Sequence, residues 1–149
     1  MRCVAQRVTE AYVTVDGRET GRIGKGIAAL IGVEAGDTEK DAVYLAGKLA
    51  KLRIFEDENE KMNRSVMDVG GAVLAVSQFT LLGDARGQNR PGFTQAEAPE
   101  RANELYELCC VEMRKLGVPV ENGMFRTHMM VHLVNDGPVT ILLDSHKSF

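Results

Sequence analysis

Over residues 2–8 and 10–15 the chain alternates apolar with polar positions or runs β-branched, and Asp16-Gly17 then offers the positive-φ pair of a tight hairpin. The chain therefore opens with antiparallel strands. Residues 27–33 form an apolar run between Gly26 and Gly36, the pattern of a central strand buried on both faces. Asp37 or Thr38 can cap a helix over 39–52, where Ala42, Val43, Leu45, Ala46, Leu49 and Ala50 recur at helical spacing. Residues 52–56 read as a strand, 57–60 as a turn and 72–80 as a further strand. The glycine-rich stretch 81–97 is long for a connection in a compact domain, which makes it a candidate wall of a site. Pro99 at a first helical position, the stripe Ala102, Leu105, Tyr106, Cys109, Met113, Leu116, and then Gly117 define a second helix. Over 124–134 the period is two: Phe125, Thr127, Met129, Val131 and Leu133 share one face, with Arg126, His128, Met130 and His132 on the other. That predicts a half-exposed strand, which Asn135-Asp136-Gly137-Pro138 turns into a closing strand over 139–143. The sum is an α/β chain of about eight strands and two helices. No repeat, low-complexity tract or linker divides it, so residues 1–149 are expected to form a single domain.

An apolar content of 44% over 149 residues supplies a sizeable core without staples. Cys3, Cys109 and Cys110 have no metal-ligand spacing, and the adjacent pair suits no ordinary disulfide, so a reducing compartment is expected. With no apolar run at the N-terminus and none of spanning length, the expectation is a cytoplasmic protein without membrane contact. A net charge of −3 argues against coating long nucleic acid, so no DNA partner is expected. Smaller basic clusters, at Arg2, Arg7, Arg18, Arg22 and Lys25 and at Arg86 and Arg90, suit either a few phosphates near one RNA end or ordinary solvation.

Most chemical motifs fail on geometry. His128 and His132 have a zinc spacing on a helix, but on a strand such positions stand about 13 Å apart. No Gly-x-Ser-x-Gly elbow supports a serine nucleophile, and both helix cysteines lie on or beside a core stripe. Gly21, Gly24 and Gly26 are in the wrong order for a nucleotide-binding fingerprint. Two polar insertions remain. Ser77-Gln78-Phe79-Thr80-Leu81 puts hydroxyl, amide and backbone N–H groups where a buried strand runs into the glycine-rich loop, although Thr80 can simply end a strand. Gly137-Pro138 combines little steric bulk with a proline that permits a cis bond, although a plain hairpin turn has the same composition. Spacing alone assigns neither a reaction.

Together, Ser77-Gln78-Phe79-Thr80-Leu81 and Asn135-Asp136-Gly137-Pro138-Val139-Thr140 resemble the two signature motifs of D-aminoacyl-tRNA deacylases. Gln6-Arg7-Val8, Ile23-Gly24-Lys25-Gly26, Leu52-Arg53-Ile54-Phe55-Glu56-Asp57 and Gly87-Gln88-Asn89-Arg90-Pro91-Gly92-Phe93 are similar to further segments of that family. The resemblance implies a barrel-like pair of sheets with two main helices, in a homodimer whose active sites lie at the interface. It implies that Gly137-Pro138, in cis, enters the partner's pocket as a chiral filter admitting a D-residue or glycine. It places Ser77, Gln78, Phe79 and Thr80 in the catalytic group, and Arg7, Phe125 and Met129 with the filter and substrate. The partner it implies is the 3′ end of aminoacyl-tRNA, with no cofactor and no metal. Backbone N–H groups near Phe79 and Thr80 are then candidate oxyanion donors, and the 2′-hydroxyl of the terminal adenosine assists. Thr80 as a nucleophile lacks an obvious activating base, so it is expected to position rather than attack. One segment departs from the family pattern: after Phe125 this chain reads Arg126-Thr127-His128 where small and acidic residues are usual. On the strand reading, Arg126 and His128 are expected to face solvent. Two rival classes remain, a non-catalytic RNA-end-binding dimer and a zinc hydrolase using His128 and His132.

Overall fold

A computed structural model describes residues 1–149. Its elements run β1 (Arg2–Val15), β2 (Arg18–Ile23), β3 (Gly26–Gly32), α1 (Glu39–Lys51), β4 (Phe55–Glu56), β5 (Met62–Arg64), β6 (Ala72–Ser77), α2 (Pro99–Lys115), β7 (Val120–Asn122) and β8 (Met130–Asp144). β1 organises the sheet because it is long enough to serve three partners. Its first half pairs with β3 and its second half with β2, while β8 pairs with it from Arg2 to Thr14. β3 then pairs in parallel with β6, and β6 with β7. β7 returns toward β2 so closely that a Cβ on Gly21 would stand 2.5 Å from the Asn122 carbonyl oxygen. The sheet therefore nearly closes into a barrel, and β4 and β5 form a small second sheet.

Both faces of the central strands are covered, which is why β3 reads as an unbroken apolar run. On one face Ile27 and Ile31 pack with Leu45 and Leu49 of α1 and Leu105 and Met113 of α2. On the other, Val8, Ala11 and Val13 meet Ile23, Leu74 and Val76 inside the barrel. Thr38 is the N-cap of α1, its N–H donating to the Asp41 carboxylate at 2.8 Å. Pro99 opens α2 as expected, but Cys110 is buried and Leu116, at the cap, is exposed.

Several expected boundaries move. The strand over 52–56 contracts to two residues, and β5 and β7, three residues each, are too short to carry a period. β6 ends at Ser77, after which Phe79–Leu82 coils into a 3-10 helix. Residues 124–129 are not strand: the Met124 carbonyl accepts bonds from the Thr127 N–H and hydroxyl, and Arg126 sits at φ 61°. Nor does Asn135-Asp136-Gly137-Pro138 reverse the chain. Gln6 pairs with Thr140 and Val8 with Asn135, so both halves of β8 follow the same strand and residues 136–139 bulge opposite Arg7.

Beyond β8, the Nε2 of His146 lies 2.6 Å from the buried Asp37 carboxylate, with Glu34 at 3.6 Å, Asp41 at 3.7 Å and the Met1 ammonium also on Asp37. The bond to Asp37 raises the His146 pKa above its ordinary value of about 6.5, against burial and the Met1 charge. A raised folded value means that this contribution is fully present below the unfolded pKa and is lost as pH rises through the folded one. The urea midpoint is therefore expected to fall as pH rises above the ordinary histidine value of about 6.5, and His146→Gln to flatten that slope. An equal slope in the variant rules the contact out as its source.

Candidate functional site

β6 is buried from Val73 to Val76 and reaches the surface at Ser77. The Gln78 N–H still donates to the Ile31 carbonyl at 2.7 Å, and there the chain coils. Gly32 allows that coil to settle on β3, since a Cβ on it would stand 2.7 Å from Leu82 and 2.9 Å from the Gln78 carbonyl. Two residues before Ser77, the Tyr106 hydroxyl donates to the Ala75 carbonyl at 2.8 Å and accepts from the Asn122 amide at 2.7 Å. Burial pushes the Tyr106 pKa up, so it remains a hydroxyl donor. α2, β6 and β7 are pinned together behind the emerging segment.

Ser77, Gln78, Phe79 and Thr80 line a cavity of about 800 Å³. The long loop supplies Phe93 and Glu97 to its wall, as its length led us to expect, and residues 125–129 supply another part. The Phe79 and Phe93 rings meet edge to face with centroids 5.1 Å apart, and Phe79 is 57% exposed. The Gln78 amide donates to the Thr80 hydroxyl at 3.0 Å. Glu97 accepts from the Ala98 N–H at 2.8 Å and the Gly36 N–H at 3.3 Å, so its charge is spent on closing the loop against the start of α2.

Of the residues singled out in the sequence, Phe125 and Met129 join Ser77 through Thr80 in this cavity, and Arg7, Gly137 and Pro138 do not. These three form a second locus. The Arg7 guanidinium is buried in the gap that the bulge leaves, with Nε donating to the Asp136 carbonyl at 3.0 Å and Nη1 to the Ile54 carbonyl at 2.8 Å. The carboxylates of Asp136 and Glu56 lie 3.7 and 3.8 Å away. Asn135 closes the base of the bulge, accepting from the Val139 N–H at 2.9 Å and donating to the Thr140 hydroxyl at 3.1 Å. The Gly137-Pro138 bond is cis, and both residues are exposed. At φ 129° a Cβ on Gly137 would stand 3.1 Å from Arg7 Nη2, so only glycine fits there.

Arg126, Thr127 and His128 line the cavity; Arg126 and His128 are exposed, as expected, but from a turn and not from a strand. The turn at 124–127 carries them there. His132 instead stacks on Tyr12 with ring centroids 4.3 Å apart, and the Arg22 guanidinium lies 4.1 Å from the same tyrosine ring. The cysteines are buried, and burial pushes their thiols up and away from thiolate chemistry. Sequence reasoning missed Glu97, Tyr106 as a polar anchor, and the Ile54 carbonyl. Only Tyr106 gave a signal, an aromatic hydroxyl on a core stripe.

The model of the D-Tyr-tRNA(Tyr) deacylase family matches residues 4–144. The chain is 61% identical to the D-aminoacyl-tRNA deacylase of Koribacter versatilis (strain Ellin345) and 60% identical to that of Anaeromyxobacter dehalogenans (strain 2CP-C), over the whole length of each. Among solved structures, the c-Myc DNA unwinding element binding protein superposes with a TM-score of 0.91 at 42% identity, covering 97% of this chain and 98% of that one. A probable eukaryotic D-amino acid tRNA deacylase shares the fold with a TM-score of 0.83 at 20% identity, covering 96% and 98%. Because Arg7 bridges two carbonyls from separate segments, Arg7→Lys, which lacks the fork, is expected to destabilise the chain by about 1–3 kcal/mol in urea denaturation. An unchanged midpoint means that something else holds the bulge.

Proposed function

The chain belongs to the D-Tyr-tRNA(Tyr) deacylase family, and on that premise we propose that it proofreads chirality at a site completed by two copies of itself. It is a hydrolase, a D-aminoacyl-tRNA deacylase. The reading extends its substrates to glycyl-tRNA, places it in the cytoplasm, and treats residues 1–149 as one deacylase domain. The observation that carries it is the division of the site: a cavity lined by Ser77–Thr80, and an exposed Gly137-Pro138 bulge that is braced by Arg7 yet lies outside that cavity.

A two-fold dimer closes the gap. β8 pairs with β1 along one edge only, and it exposes Met130, Val134 and Leu142 by 56%, 56% and 57%. An edge strand carrying such a row favours burial against a second copy. In that arrangement the main chain of Gly137-Pro138 enters the partner's cavity and leaves no room for an L side chain. Rejection by collision suits an editing site, because small apolar differences discriminate weakly.

Hydrolysis adds water to the ester carbon and breaks its bond to the ribose oxygen, which regains a proton as the free amino acid leaves. Backbone N–H groups of Phe79 and Thr80, ahead of the first bonded amide of the 3-10 helix at Leu81, are the oxyanion donors of this proposal. The Thr80 hydroxyl is bonded to the Gln78 amide, a donor rather than a base. That supports a positioning role for Thr80 and leaves deprotonation of water to the 2′-hydroxyl of the terminal adenosine. A net charge of −3 fits contact with a short RNA end better than the DNA partner in the name of one structural relative.

Incubation with D-Tyr-tRNA and L-Tyr-tRNA tests the reading: D-tyrosine is expected to be released and the L-ester spared. Equal inertness to both esters leaves an RNA-end binder instead. Thr80→Ala is expected to slow D-ester hydrolysis by less than about tenfold, whereas loss of a nucleophile costs several orders of magnitude.

A further inference from the structure

Arg126 is held in a conformation that its side chain disfavours, at the wall of the cavity, without a partner. Its φ of 61° lies in the left-handed region, where a residue with a Cβ costs roughly 1 kcal/mol over glycine. The turn that imposes this is fixed by two bonds from Thr127 to the Met124 carbonyl, so the backbone does not relax to relieve it. Strain of this kind at a cavity is a pointer to function when the side chain has no structural task. Arg126 has none: like the exposed Arg18 and Arg90 it enters none of the chain's ion pairs, and unlike them it lines the cavity. The acid of the cavity, Glu97, is occupied by two backbone N–H groups. The cavity therefore presents one uncommitted fixed cation, with the His128 imidazole two residues away on the same wall.

We infer that Arg126 is a substrate-binding residue that grips a backbone phosphodiester near the 3′ end of the tRNA, with His128 as a second donor to that strand. This rests on the reading of the cavity as the aminoacyl-ester site. An aminoacyl ester carries no negative charge of its own at the reacting end when the side chain is neutral. The nearest fixed anions on such a substrate are its phosphodiesters, and a guanidinium at the wall offers them paired N–H donors. The contact is made equally in ground and transition states, so it belongs to KM and not to kcat. It is indifferent to which amino acid is esterified.

Deacylation of D-Tyr-tRNA and D-Asp-tRNA by the full chain and by Arg126→Gln, at several salt concentrations, tests this. The variant is expected to raise KM about threefold to tenfold for both substrates with kcat unchanged, and to reduce the slope of log(kcat/KM) against log salt by about 0.7, one single-strand phosphate contact. Arg126→Lys is expected to restore most of the KM and the slope. D-tyrosyl-adenosine, which has no phosphate, is expected to serve equally well, as substrate or competitive inhibitor, with either protein. Arg126→Gly, which suits the left-handed turn, is expected to unfold at a higher temperature while showing the same rise in KM. An unchanged KM and salt slope in Arg126→Gln, an equal loss on D-tyrosyl-adenosine, or a loss confined to D-Asp-tRNA overturns the assignment. Inertness of the unsubstituted chain toward both D-esters instead sinks the underlying reading of the site, so the two failures are distinguishable.

Discussion

A single buried guanidinium holds the most irregular part of this chain in place. Opposite Arg7 the β1–β8 ladder is interrupted, and four residues of β8 stand against one of β1. An interruption of that size strands carbonyl groups that a sheet would otherwise satisfy, and buried unsatisfied groups are costly. Arg7 answers with its fork, taking the Asp136 carbonyl on one arm and the Ile54 carbonyl on another. It ties the bulge to the segment leading into β4, and Gly137 can then be exposed without being loose. A lysine has the charge but not the geometry.

The cavity depends on a different device, the abrupt end of a buried strand. β6 is apolar until Val76, Ser77 is its last paired residue, and the chain leaves the sheet after the Gln78 N–H while the bonds of Tyr106 to Ala75 and Asn122 keep the strand behind it still. The long loop folds over the opening through Glu97, so the wall combines main-chain contacts and an aromatic pair with the buried apolar side chains of Val33, Val76 and Ala102. Such a wall places polar atoms accurately while leaving room beside them for a substrate.

What the sequence made legible follows from periodicity. β3, α1 and α2 were readable because each presents a long, regular face to the core, and the Ser77–Thr80 segment because polar residues interrupt such a face. β5 and β7 were not readable, since three residues carry no period and their pairing is decided by distant strands. The 124–134 segment misled for a sharper reason. Its alternation continues through 124–129, but a local competition won by Thr127 and the Met124 carbonyl bends the backbone before the strand begins at Met130. Half of the candidate site was likewise beyond reach. Both motifs could be named from their residues, yet nothing in their spacing says that Gly137-Pro138 lies outside the cavity lined by Thr80.

The bulge also separates what the protein is from what it does. Since Arg2 to Gln6 and Val8 to Thr14 already lie in one antiparallel course along β8, the sheet closes on either side of residues 136–139 without their help. Excising three of them would let the ladder run straight through. A lineage that shed its working tip by a short in-frame deletion would also have to replace Arg7, whose buried guanidinium loses both its space and the Asp136 carbonyl, before the scaffold was free to drift toward another trade.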